Sequence, residues 1–219
     1  MNPQRCFGLL IPTVILTLLL AASVSSGESL YSKKYDSSTS GSIIWSIKES
    51  HNQIIADDFV IQGANAIVED ADFWIVMDHP TTLPSALKLF FYESSAGGYP
   101  DSLIQQTQWK TDFTYENTGE IMMGMDVYRF SIPLTGDEQF NASADTRYWV
   151  GILAQSTGGL SSALGTIVTG EITCIWIGSR WYTTGEASPF PASDAFFALA
   201  GTLENSLDNV TWGAIKNSF

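Results

Sequence analysis

The chain has 219 residues, of which 45% are hydrophobic and 12% aromatic, enough apolar material for one packed domain. Only 15% are charged, so a solvent face must be covered by Ser, Thr, Asn, Gln and Gly, as on many extracellular domains. Ten Lys and Arg against 23 Asp and Glu give a net charge of −13, which argues against nucleic acid or an anionic membrane as partner and leaves divalent cations and neutral ligands such as glycans.

Residues 1–26 read as a cleaved signal peptide. Arg5 supplies the positive end, Leu9 to Leu20 the apolar stretch, and Ala22 or Val24-Ser25-Ser26 the small residues of a cleavage site. The apolar stretch is short for a membrane span, an uncleaved anchor being the alternative. No span is expected after cleavage, and the protein is expected to be secreted, extracellular or at a cell surface. Cys6 precedes the apolar stretch, so the mature chain keeps Cys174 alone and has no internal disulfide. Cys174 lies in the strand-like run Glu171 to Ile177 and reads as a small buried hydrophobe.

Residues 27–42 are polar and Ser-rich and read as a flexible leader. The folded domain is expected over 43–204. Ile43 to Ile47 and Ile54 to Ile61 are the first strand candidates. Ile67 to Met77 alternates, with Ile67, Ala71, Phe73, Ile75 and Met77 on one face and Val68, Asp70, Asp72, Trp74 and Val76 on the other. Trp74 is then either exposed or between layers. Further strands are read at Leu87–Glu93, Leu103–Trp109, Phe113–Tyr115, Met125–Ile132 and Thr146–Ala154, with Gln155 to Gly165 as a Gly/Ser-rich loop. Glu171–Ile177 and Arg180–Tyr182 form a hairpin about Gly178-Ser179, and Ala195–Leu203 closes the domain. Short strands spaced by turn signals, with no long helix outside the signal, predict an all-β single β-sandwich of jelly-roll or Greek-key type.

Gln53 to Phe59, Phe91-Tyr92-Glu93 to Pro100, Thr146 to Val150, Trp176 to Trp181, and Asp194 to Gly201 occur in that order. This plan resembles a poorly characterised family of secreted bacterial β-sandwich proteins. Those open on a Gln-x-Ala-Asp-Asp-Phe strand, here with one extra Ile, and close on Asp-x-Ala-Phe-x-Leu-x-Gly. The resemblance implies a fold and an extracellular home, and little chemistry. Residues 205–219 form a linker and short tail, whose Thr-Trp-Gly-x-Ile-Lys pattern resembles endings of some secreted bacterial proteins. If Thr211 caps a short helix, Trp212, Ile215 and Phe219 share one face. This is read as a sorting or docking tail, or as an end that frays or folds onto its own domain.

Asp57 and Asp58 interrupt an apolar run, where an unpaired carboxylate is strongly disfavoured. With Asp194 beside the last strand, they are candidate ligands of a structural Ca²⁺. The rival is hydrogen bonding to loop N–H groups or pairing with Arg147 or Arg180. His51, His79 and Cys174 lack zinc-ligand spacing, and no Gly-x-Ser-x-Gly elbow or phosphate-cradling loop occurs. No catalytic residue is assigned and no cofactor is required. A glycoside hydrolase or lyase using two of Glu69, Asp70, Asp72, Glu93, Glu116 and Glu120 is the lesser reading. The favoured one is a non-catalytic module that binds a polysaccharide or a cell-surface protein through Trp176, Trp181, Tyr182, Tyr99 and Trp109, rings placed near loops or strand ends. The alternative is a structural subunit of a surface layer or extracellular matrix.

Overall fold

Runs rich in β-branched and aromatic residues become most of the central strands, and short polar stretches add others beside them. In chain order they are β1 (Glu28–Lys33), β2 (Ser40–Ser46), β3 (Ile54–Val60), β4 (Asn65–Met77), β5 (Ala86–Ser94), β6 (Pro100–Gln106), β7 (Thr114–Met122), β8 (Met125–Pro133), β9 (Phe140–Ala142), β10 (Arg147–Gln155), β11 (Leu160–Gly165), β12 (Cys174–Ile177), β13 (Arg180–Thr183), β14 (Asp194–Ala195) and β15 (Phe197–Glu204). One short helix, α1 (Thr184–Ala187), follows β13. This computed structural model describes residues 27–35, 40–77, 83–156, 160–165, 170–187 and 192–204. The proposed signal peptide and the tail carrying Trp212, Ile215 and Phe219 lie outside the described residues. Among the described residues no helix is long and apolar enough to cross a membrane.

Antiparallel ladders join the strands into two sheets. One is nine-stranded and runs β1-β15-β4-β11-β14, with β8 and β9 also paired to β4, β7 to β8, and β2 to β11. The other is six-stranded, β13-β12-β3-β10-β5-β6. A single large buried cluster draws on both: Ala71, Phe73 and Ile75 of β4 and Phe197 and Leu199 of β15 meet Ile55 and Phe59 of β3, Leu89 and Phe91 of β5, and Val150 and Ile152 of β10. Phe91 stacks on Phe140 with ring centres 4.3 Å apart. Burial of this apolar area is the main stabilising term, at roughly 25 cal/mol per Å².

The alternation expected for β4 holds from Ala71 onward and reverses before it. Val68 and Ala66 enter the core, and Ile67 does not. The ladder to β15 shifts register between Ala200 and Gly201, where β4 steps from Asp70 to Val68. Glu69 is thus the extra residue of a bulge, and one inserted residue swaps the two faces of a strand. Trp74 and Val76, on the opposite face from Phe73 and Ile75, are buried too, in a smaller cluster with Met122, Val127 and Phe196.

Two expectations are corrected. The stretch 27–42 is not a flexible leader as a whole: β1 pairs with β15 from Glu28↔Gly201 to Lys33↔Phe197, and β2 begins at Ser40. Its few large side chains carry the packing, Tyr31 lying 5.3 Å from Phe197 in a stacked arrangement. The Gly/Ser-rich stretch after Gln155 is not loop throughout. Leu160–Gly165 is β11, which pairs with β2, β4 and β14. Its residues have weak β-propensity, and ladders on both sides override it. The turn at Gly178-Ser179 is as expected, with Gly178 at φ 69° and Ile177 opposite Arg180.

Candidate functional site

The first cluster of interest grows from an incomplete strand edge. β12 pairs with β3 only across Ile54, Ile55 and Ala56. Beyond Ala56 that edge of β3 has lost its ladder, and buried backbone groups there need other partners. The Asp57 carboxylate supplies one by accepting the Asp58 N–H at 2.8 Å. Its other oxygen accepts the Thr173 hydroxyl at 2.8 Å and the Ala195 N–H at 2.6 Å. Asp58 accepts the Glu171 N–H at 3.0 Å. Gly170 presses on Asp58 from outside: it sits at φ +96°, and a Cβ there would come within 2.7 Å of a carboxylate oxygen.

The cation of this cluster comes from β1. Lys33 Nζ lies 3.0 Å from Asp57 Oδ1, 3.4 Å from Asp58 Oδ1 and 3.3 Å from Asp194 Oδ2. The side chains of Lys33, Asp57 and Asp194 are 7%, 1% and 4% exposed, so all three are withdrawn from water. Arg147 Nε stands 3.3 Å from the far oxygen of Asp58, and its Nη1 pairs with Glu171. Burial is the largest influence on Asp57. With the neighbouring Asp194 and Asp58 it outweighs the Lys33 ammonium and pushes the carboxyl up to about 8. Burial pulls Lys33 downward, but Asp57 and Asp194 overcome it and hold the amine above its ordinary value.

The structure therefore brings together Asp57, Asp58 and Asp194, the expected calcium ligands, around an ammonium from the chain itself. Arg147 takes the place foreseen for it, whereas Arg180 lies over the Tyr182 ring, 4.0 Å from its centre. Among the described residues no group of three or more His, Cys, Asp or Glu is arranged to hold a metal ion. Lys33 itself escaped sequence reasoning because it sits in a serine-rich stretch with no apolar periodicity beyond Leu30 and Tyr31.

The second cluster covers the face of the six-stranded sheet turned away from the shared core. Phe90 and Tyr92 of β5, Trp149 and Leu153 of β10, Ala56 of β3 and Cys174 of β12 are buried there. Tyr99, Trp109 and Trp181 are partly buried and lean on this cluster, and Trp176 meets Trp181 at 5.4 Å and 67°. Trp181 also meets Tyr92 edge-on at 5.2 Å. β13 and β5 are separated by three strands in the sheet. Flat, their backbones would stand about 19 Å apart at ordinary strand spacing. The sheet is thus strongly curled, with these aromatics on its concave side. A row of small residues permits this: Gly151 faces Ala56, and a Cβ on Gly151 would reach 2.9 Å from Ile54 Cγ2.

Four of the five rings expected to bind ligand thus border one surface. Tyr182 is the exception: it stands opposite Ile175, a residue of the shared core, and so faces away from the concave side. Tyr99 is tied to the hairpin through its hydroxyl, which donates to Glu186 at 3.3 Å. Glu186 also accepts the Thr183 N–H while its own N–H goes to the Thr183 hydroxyl, a reciprocal cap on α1. These bonds, that to the Thr183 backbone foremost, hold the Glu186 carboxyl below its ordinary value. Cys174 is wholly buried beneath this surface, and burial pushes its thiol far up, as suits an inert packing residue.

The carboxylates considered for hydrolysis do not converge on either cluster. Glu69 accepts from Gln139 and Thr202. Glu116 pairs with Arg129 at 3.1 Å. Asp70 and Asp72 border a small cleft with Lys34 and Arg129, and burial, then Asp72 and Glu69, raises Asp70. Glu93 is exposed and Glu120 half-buried. No protein-family model matches the chain, and no curated protein matches it.

Proposed function

We propose that the protein is a secreted, non-catalytic β-sandwich module of jelly-roll or Greek-key type that binds a glycan on the concave face of its six-stranded sheet. The observation that carries this reading is the border of partly exposed rings, Trp176, Trp181, Tyr99 and Trp109, around a buried aromatic floor. Pyranose C–H faces stack on such rings, and the floor fixes their orientation before any ligand arrives. The acidic surface suits a neutral polysaccharide. The resemblance to secreted bacterial sandwich proteins and the reading of residues 1–26 as a signal peptide agree with an extracellular place of work.

The test is a glycan array and polysaccharide pull-down on the full chain, with calcium and with EGTA. Saturable binding that is lost in Trp181→Ala or Trp176→Ala, with the unfolding transition retained, is the expected result. Absence of binding under both conditions overturns it. A second reading, a subunit of a surface layer or matrix, draws on different residues. Leu103 and Ile104 are 48% and 45% exposed on β6, the edge strand of the six-stranded sheet, and such an edge is a template for pairing with another chain. Concentration-dependent assembly abolished by Ile104→Lys favours that reading.

A further inference from the structure

We propose that Lys33 and Asp57 condense to an intramolecular amide, an isopeptide cross-link that ties β1 to β3. The reactants are already in place. Nζ and Oδ1 are 3.0 Å apart, and both side chains are withdrawn from water. The acids around Lys33 favour its ammonium, so the reactive form is reached by passing one proton from Nζ to the buried Asp57 carboxylate, which gives a neutral amine beside a neutral acid. Held pairs of this kind react with effective concentrations far above those of free groups.

The surrounding groups match what the reaction needs. Nζ adds to Cγ of Asp57, and negative charge develops on Oδ2. That oxygen already accepts the Ala195 N–H at 2.6 Å and the Thr173 hydroxyl at 2.8 Å, which form an oxyanion site. Asp194 Oδ2, 3.3 Å from Nζ, takes a proton from the attacking nitrogen and delivers it to the departing hydroxyl. The Nζ–Cγ bond forms, the Cγ–Oδ1 bond breaks, and one water leaves carrying that proton and its own. No oxidant, reductant or cofactor takes part. Asp194 is the catalytic acid–base, and Thr173 and Ala195 stabilise the intermediate. Asp58 is the more distant acid, its Oδ1 3.4 Å from Nζ, and its carboxylate is engaged by the Glu171 N–H and by Arg147.

The experiment is peptide mapping by mass spectrometry on the full chain, purified and denatured. The expected result is a branched peptide containing Lys33 and Asp57, one water lighter than the sum of its parts, with trypsin failing to cut after Lys33. Fragmentation must place the link on Asp57; a link on Asp58 overturns the assignment. Complete cleavage after Lys33, with both peptides at full mass, overturns the proposal. Lys33→Arg keeps the positive charge but cannot form the amide and is expected to lack the branched peptide. Asp194→Asn is expected to leave the two peptides separate in a folded protein, and a full yield of cross-link there removes Asp194 from the mechanism.

Discussion

Replacing Lys33 by Met keeps an unbranched apolar stem out to Cε and deletes the ammonium. Asp57, Asp58 and Asp194, at 3.0, 3.4 and 3.3 Å from Nζ, then lose the cation they share, while Arg147 stays 3.3 Å from Asp58. In chains whose Lys33 and Asp57 have not condensed, removing one partner from the buried ion pair costs about 3–5 kcal/mol, because the remaining charge stays buried without compensation. For a domain of this size that corresponds to a fall in Tm of about 6–20 °C. The assay is urea unfolding followed by tryptophan fluorescence, at pH 8 and at pH 4. In the variant the Asp57 carboxyl, already raised by burial, loses the ammonium that lowered it and stays buried only by binding a proton that the unfolded chain releases. The variant's stability therefore falls as pH rises above the ordinary aspartate range, and the deficit against the parent is larger at pH 8 than at pH 4. A variant within about 1 kcal/mol of the parent at pH 8, the scale of a surface pair, would refute the reasoning and make Lys33 a solvated lysine.

Gly170→Ala puts a Cβ against the Asp58 carboxylate at a φ of +96°, and a loss of about 1–3 kcal/mol is expected in the same unfolding assay. Asp70→Asn removes a carboxyl whose pKa is raised by burial and by Asp72 and Glu69. The parent's folded state holds that proton where the unfolded state has released it, so the parent loses stability as pH rises through the raised value. The Asn variant should gain on it there by no more than about 1 kcal/mol and match it at pH 3, as paired urea titrations will show. Cys174 is fully buried with its thiol pushed up, so a thiol reagent should label the native protein no faster than the protein unfolds, and promptly in urea.

Most strands were legible because one or both faces are buried and the period of two is strong, as in Met125 to Ile132 and Thr146 to Ala154. What failed was local sequence that only tertiary partners make into strand. β1 and β11 have two large apolar residues each, Leu30 and Tyr31 in the first and Leu160 and Leu164 in the second, and each becomes a strand by filling a place between or beside others. The β4 bulge was hidden for a different reason. Ile67 and Val68 are equally apolar, so nothing in the residues themselves shows where the faces exchange. At the acid cluster the electrostatic problem was legible from Asp57 and Asp58, and so was the approach of Asp194. Its solution was not, because an ammonium 24 residues upstream leaves no local trace. The aromatic surface was half legible. Trp176 and Trp181 face each other across a readable hairpin, but the curl that lays Trp181 on Tyr92 depends on Gly151 and Ala56, two residues with no binding signature.

The pairing of β1 with β15 also sets how the domain meets mechanical load. The two strands run antiparallel, with Glu28 opposite Gly201 and Lys33 opposite Phe197. A pull applied at residue 27 and at residue 204 acts on the same end of that ladder. Its hydrogen bonds are then peeled in succession instead of being sheared together, which is the weak geometry for a pair of strands. The peel runs toward Lys33, whose Nζ is fastened to the acids of β3 and β14. At that residue the load passes from main-chain bonds to a side-chain anchor. β1 thus behaves as a compliant tether that gives way over its first residues and stops at its last, leaving the rest of the sheet unloaded until the anchor yields.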